Sequence, residues 1–224
     1  MPLKLYFHPL ASFCQKAVIA LYEHSVTFEP VIVDLGDAKS RAAFAAVWPL
    51  AKFPVLRDEA RSHTVAESST VVEYIDTFHR GGTALIPADP DRAWQTRMWD
   101  QFFDNYVEVP MQKVNGDHFR PDGGHDPVGV EEARALLLRA YDILEPRLKV
   151  GPWMLGDAFT LADCAAAPAL FYADLVAPIP ASTPHVSAYL DRLMARASYA
   201  RTLKEAEPYF PMYPGNPKPS RTRG

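Results

Sequence analysis

The chain has 224 residues, 48% of them hydrophobic and 22% charged, with a formal net charge of −4 and two cysteines. This is ordinary globular composition with length enough for a real core, and it excludes a dedicated nucleic-acid binder, which would carry a basic face, and a disulfide scaffold. The longest apolar stretch, near 164–172, is too short and too rich in Ala and Pro to span a membrane, and MPLKLYFHPL shows no signal-peptide pattern, so a cytoplasmic protein is expected.

Leu3-Lys4-Leu5-Tyr6-Phe7 alternates apolar with more polar residues and predicts a strand that Pro9 breaks. Residues 13–24 carry Ala17, Val18, Leu21 and Tyr22 at helical spacing, and 27–33, rich in Val, Ile and Phe, predicts a second strand. A short crossover helix between two strands implies a parallel pair. A short helix over 39–47 stops at Trp48-Pro49. Strands over 54–57 and 62–65 follow, then an amphipathic helix over 67–79 with Val71, Val72, Ile75 and Phe78 on one stripe. Arg80-Gly81-Gly82 ends it with the glycine expected after a helix.

From Asp91 onward the strand signals stop. Trp94, Met98, Phe102, Tyr106 and Met111 fall roughly on one helical face, and 121–127 is a Gly/Pro loop. A long helix over 130–150 has Leu137, Tyr141, Leu144 and Leu148 as its stripe, and Pro146 predicts a kink in it. Two more helices are expected over 161–176 and 185–196. Pro208, Pro211, Pro214, Pro217 and Pro219 predict an extended tail without a helix, ordered at first and loose after Asn216. The expected division is an α/β domain over 1–80, a linker over 81–90, an all-α helical bundle over 91–205 and a Pro-rich tail over 206–224.

Four segments, HPLASFCQKAVIALYE (8–23), PLAKFPVL (49–56), VAESSTVVEYID (65–76) and LGDAFTLADCAAAP (155–168), stand in this order across that division. Through them the chain resembles cytosolic glutathione S-transferases, in the manner of a bacterial-type member, over roughly residues 3–205. The resemblance implies a thioredoxin-like α/β N-terminal domain and a cis Pro54. It also implies that the backbone of Phe53 pairs with the cysteinyl part of glutathione like an added strand. A plain turn proline is the alternative for Pro54.

Glu67-Ser68 opens a helix, where N–H groups and a serine hydroxyl make a carboxylate site. On the resemblance, Ser68 takes the γ-glutamyl carboxylate of glutathione and Glu67 its ammonium; ordinary capping uses the same geometry. Lys52 stands where a cation meets the glycyl carboxylate. Lys39 and Arg41 are read as solvated surface charges.

The resemblance also implies a serine, cysteine or tyrosine that holds the glutathione thiolate. The serine or cysteine position is occupied by Ala11, and the tyrosine position by Phe7. Ser12 is the expected substitute donor, with simple capping of the helix as its alternative; His8 is a strand-end residue close by. Cys14 and Cys164 are read as buried packing, and with Ala11 in place of a first cysteine no dithiol mechanism is available. Thr160-Leu161-Ala162-Asp163 is a capping box with a structural role.

Phe102, Phe103, Tyr106, Val107 and Met111 are candidates for the pocket of a small hydrophobic electrophile; Phe103, Tyr106 and Met111 are the preferred three. Tyr209, Phe210 and Met212 of the tail are set to fold over it, and Asp104 and Asn105 are polar interruptions near it. The histidines show no metal-ligand spacing, and no metal is expected. The expected function is glutathione transfer, with glutathione as co-substrate, in detoxification by a cytoplasmic homodimer that binds neither nucleic acid nor membrane. Glutathione-dependent disulfide or peroxide reduction and a non-catalytic ligand-binding scaffold are the rival readings.

Overall fold

The computed structural model describes residues 3–222. In it Leu3–Phe7 forms β1, which buries Leu3 and Leu5 on one face and turns Tyr6 to the other, where it stacks on Phe44 with ring centroids 5.8 Å apart. The elements α1 (Ser12–Glu23), β2 (Phe28–Ile32), α2 (Ala38–Val47), β3 (Val55–Asp58), β4 (His63–Ala66) and α3 (Ser68–Phe78) follow. The sheet order is β2-β1-β3-β4, with β1 parallel to β2 and the other pairs antiparallel. This is the thioredoxin-like arrangement the resemblance implies. The fully buried face of α1, with Ala17, Val18, Ile19 and Leu21, packs on Val71, Val72 and Ile75 of α3. The smaller cluster of Val33, Phe44 and Val55 seats α2 on the opposite face of the sheet.

The chain then becomes wholly helical: α4 (Pro90–Phe102), a π-helical turn (Phe103–Glu108), α5 (Val109–Asp117), α6 (Pro127–Arg147), α7 (Leu161–Val176), α8 (Pro184–Ala195) and α9 (Ala197–Ala206). Helix α7 is the axis of this half, buried at every residue from Leu161 to Ala173. Its alanines let neighbouring helices approach closely. The capping box holds it in place: Asp163 accepts from the Thr160 N–H at 2.8 Å, the Met154 N–H at 2.8 Å and the Tyr189 hydroxyl at 2.6 Å.

Two expectations are corrected. The stripe of Trp94, Met98 and Tyr106 faces outward, with these residues 54%, 45% and 50% exposed. The inward face is instead Thr96, Asp100, Phe103 and Val107, which recur at i, i+4, i+7 and i+11, one face of a helix. Helix α6 contains Pro146 one residue before its end. The tail begins with a 3-10 helix over Glu207–Met212, which tolerates Pro208 and Pro211, and stays packed beyond it. Tyr213 is buried there, stacked on Tyr172 and donating to Asn115 Oδ1 at 2.7 Å. Among the described residues no helix is long and apolar enough to cross a membrane.

Candidate active site

A cleft of about 410 Å³ opens between the two halves. Lys52, Phe53, Pro54, Glu67 and Ser68 all line it, with Phe13, Ser69, Thr70, Gln101, Asp104, Asn105 and Val109. Two backbone features converge here. The Phe53–Pro54 peptide is cis, and Glu67 holds a positive φ of 66°. A non-glycine residue in that region costs of order 1–3 kcal/mol and persists where its surroundings impose it, which often marks a ligand site. At Glu67 the turn feeds β4 into α3. The Glu67 side chain makes no capping hydrogen bond and is exposed, while Ser68, the first helical residue, is buried at the cleft floor. The start of α3 therefore presents N–H groups, a hydroxyl and a nearby free carboxylate, a set suited to a zwitterionic amino-acid end.

Ala11 occupies the N-cap of α1 and offers no side chain to it; the N–H groups of Cys14 and Gln15 turn back to its carbonyl. The N–H groups of Ser12 and Phe13 belong to the unsatisfied first turn, where the helix dipole favours an anion. The Ser12 hydroxyl does not cap the helix. It donates instead to Oε1 of Glu108, across the domain boundary. Glu108 lies at the end of the π turn, 2% exposed, and also accepts from Gln112 at 3.0 Å. Burial pushes its carboxyl up to about 7, against the hydrogen bonds from Ser12 and Gln112 that lower it.

One turn further along α1, the Lys16 ammonium is enclosed. It lies 2.6 Å from Asp100 Oδ1 and 2.8 Å from Asp104 Oδ2, and donates to Ser69 Oγ at 2.9 Å. Burial works against its charge, yet the two carboxylates hold its pKa above the ordinary lysine value. Burial likewise raises the carboxyl of Asp104 despite Lys16. Asp104 closes the cleft on the side facing Ser69, so the wall of the cleft is anionic at Glu67 and Asp104 and cationic at Lys52.

Other expected residues stand elsewhere. Phe103 and Met111, 0% and 3% exposed, lie in the core with Leu137 and Leu144 rather than on the cleft wall; Phe103 continues the inward face of Thr96 and Asp100. Tyr106 is on the outer face, beside a second, shallower recess formed with Met98, Trp99 and Phe102. Lys39 and Arg41 are exposed on α2 and do not line the cleft. From the tail, Phe210 is buried 6.4 Å from Phe171 and Met212 is exposed, while Tyr209 meets the His8 ring edge-on at 5.3 Å. His8 in turn stacks on Phe53 at 6.4 Å, and its Nδ1 accepts from the Leu10 N–H at 3.2 Å. Burial lowers the pKa of this imidazole, opposed by Asp34. Cys14 and Cys164 are free thiols with no exposed surface, and burial raises both thiol pKa values. Among the described residues no three His, Cys, Asp or Glu side chains gather as a metal site.

Lys16 and Glu108 do not stand out in the sequence as site residues. The available signal is the row Asp100, Asp104, Glu108, acidic residues four apart on an otherwise apolar-rich helix, which is a poor solvated face if it is buried.

A thioredoxin-like sheet carrying a cis proline, followed by a helical bundle with a cleft between the two, defines the class of protein. The family model for the glutathione S-transferase N-terminal domain matches residues 5–82, and that for the C-terminal domain matches 127–192. Glutathione S-transferase 3 of Zea mays is 32% identical over 213 residues, covering 90% of this chain and 93% of that protein. Glutathione S-transferase F10 of Arabidopsis thaliana is 30% identical over 203 residues, covering 86% and 93%. A glutathione S-transferase of Methylobacillus flagellatus KT, solved with GSH bound, superposes with a TM-score of 0.81 at 25% identity, covering 89% of this chain and 98% of that one. The chain belongs to the glutathione S-transferase family.

Proposed function

We propose that this protein is a glutathione transferase that activates the thiol of glutathione for attack on a small hydrophobic electrophile. The observation that carries this reading is the convergence of Lys52, Phe53, Pro54, Glu67 and Ser68 on one cleft, beside the open first turn of α1. Ser68 and the start of α3 bind the γ-glutamyl carboxylate, and Glu67, with Asp104 beyond it, pairs with the ammonium. The backbone of Phe53 pairs with the cysteinyl unit, and Lys52 meets the glycyl carboxylate. The thiol then lies at the α1 N-terminus, where Ser12 and the helix dipole favour the thiolate. Lowering a thiol pKa by two units requires about 2.7 kcal/mol of preference for the anion. The electrophile packs against the aromatic rings of Phe13, Phe53, His8 and Tyr209.

Titrating the ultraviolet thiolate absorbance of glutathione bound to the pure protein tests this. A pKa well below that of a free thiol is expected; no binding refutes the reading. Disulfide or peroxide reduction would use the same cleft, and turnover on a glutathione mixed disulfide against turnover on an aryl halide separates the two. We place the protein in the cytoplasm, in keeping with its two free thiols. We also read it as a homodimer that pairs through the outward stripe of Trp94, Met98, Phe102 and Tyr106, an apolar row that single exposed side chains do not explain.

A further inference from the structure

Glu108 is a buried carboxylate without a cation. Among the described residues no lysine, arginine or histidine forms an ion pair with it; its hydrogen-bond partners are the Ser12 hydroxyl on α1 and the Gln112 amide on α5. The other titratable groups that face it are Asp104 on the same turn, Lys16 on α1, Tyr172 on α7 and Tyr199 on α9. Lys16 is already held by Asp100 and Asp104 and does not neutralise it. Burying an unpaired carboxylate is costly, and such groups persist where chemistry uses them.

The geometry is a two-rung ladder. On α1, Ser12 and Lys16 are one turn apart. On the π turn, Asp104 and Glu108 are also four residues apart, and both face α1. Lys16 meets Asp104, and Ser12 meets Glu108. Ala11 offers no donor at the N-cap of α1, and Ser12, the first residue of that helix, is 5% exposed beside Phe13 of the cleft wall with its hydroxyl on Glu108.

We propose that Glu108 is the proton acceptor for the glutathione thiol and acts on it through the Ser12 hydroxyl. In the step, the S–H bond breaks and its proton passes to Ser12 Oγ, while the Ser12 O–H proton passes to Glu108 Oε1. The negative charge moves from carboxylate to sulfur, and the new Ser12 O–H donates to the thiolate. After the thiolate displaces the leaving group, which departs with the electron pair, Glu108 returns its proton to water. Glu108 touches no substrate and is a positioning residue. A carboxyl raised to about 7 lies between an ordinary carboxylate and an ordinary thiol, which brings this transfer closer to balance.

The proposal rests on glutathione occupying the cleft with its thiol at Ser12, and the test separates the two. The wild-type protein and the Glu108→Gln, Glu108→Asp and Ser12→Ala variants are compared for glutathione affinity and for kcat/KM against pH with an aryl halide. Gln keeps a hydrogen bond to Ser12 but cannot take its proton. The expected result is a wild-type limb rising near pH 7 that moves in Glu108→Gln toward the ordinary thiol value of about 8.5, with at least roughly tenfold lower kcat/KM at pH 7. Glutathione affinity should stay within about twofold, and Glu108→Asp should restore part of the limb. Ser12→Ala should show the same displaced limb, and the double variant no more than either single one. A Glu108→Gln limb that coincides with the wild type overturns the proposal while leaving the transferase reading intact. Failure of the wild-type protein to bind glutathione overturns both. Should Glu108→Gln not fold, the limbs of Glu108→Asp and Ser12→Ala decide, and an unmoved limb in both overturns it.

Discussion

The Lys16 ammonium lies 2.6 Å from the Asp100 carboxylate with side chains 1% and 2% exposed, a charge pair that ties α1 of the sheet domain to α4 of the helical domain. A buried pair of this kind contributes little relative to an apolar substitute of the same shape, but removing one partner is costly because the other is left charged and dry. Here removal of Lys16 strands two carboxylates, Asp100 and Asp104. Lys16→Met should therefore lose about 3–5 kcal/mol of unfolding free energy. Urea unfolding at neutral pH measures it, and part of the loss should return at lower pH, where the stranded carboxylates take up protons.

The cradle at the start of α3 makes a prediction about substrate affinity. A hydrogen bond to a charged group contributes about 1.5–3 kcal/mol, so Ser68→Ala should weaken glutathione binding roughly 10- to 100-fold. Glu67→Gln should weaken it through the ammonium contact. Calorimetric titration with glutathione gives both values. Affinity unchanged in both variants would move the γ-glutamyl site away from α3.

Stability should depend on pH through Glu108. Its carboxyl is raised from an ordinary value of 4.5 to about 7, so the native state binds this proton more tightly than the unfolded chain. Native stability from this group is therefore fully present below pH 4.5 and is lost as pH rises through 7. The loss amounts to about 3 kcal/mol between those limits. Glu108→Gln, which cannot ionise, should lack this component. The difference in unfolding free energy between wild type and variant, followed from pH 5 to about pH 8, reads it directly; a constant difference would mean that burial does not raise the Glu108 carboxyl.

The outward stripe of α4 should carry the dimer. Met98 sits on it between Trp94 and Phe102, with the Arg97–Glu73 ion pair beside it. Met98→Glu places a charge in the middle of the apolar row and should give a monomer by light scattering after size exclusion, with the fold intact by circular dichroism. A dimer that survives this change lies on another surface.

Local signals made much of this architecture legible. The alternation of Leu3 and Leu5 with Lys4 and Tyr6 marked β1, the stripe of Val71, Val72 and Ile75 marked α3, and Thr160 with Asp163 marked the start of α7. Within the cleft, Phe53-Pro54 and Glu67-Ser68 were legible because turn geometry and helix starts need particular residues at short spacing. The tail was harder. A run of prolines argues against an α-helix, but a 3-10 turn spends fewer N–H groups and accommodates Pro208 and Pro211.

The sequence by itself determined the two-part order, the elements of the sheet and the local turns that bring Phe53-Pro54 and Glu67-Ser68 to the cleft, since each depends on neighbours a few positions away. The tertiary structure alone decided which side of α4 faces solvent, since that helix offers an apolar row at Trp94 and Met98 and a polar one at Thr96 and Asp100, and packing buries the polar row together with Phe103 and leaves Tyr106 outside. It alone decided that Ser12 meets Glu108, a residue 96 positions away. A hydrogen bond across that separation imposes no periodicity on either segment. It exists because helix packing excludes water around two polar groups that then have only each other and Gln112 to satisfy them.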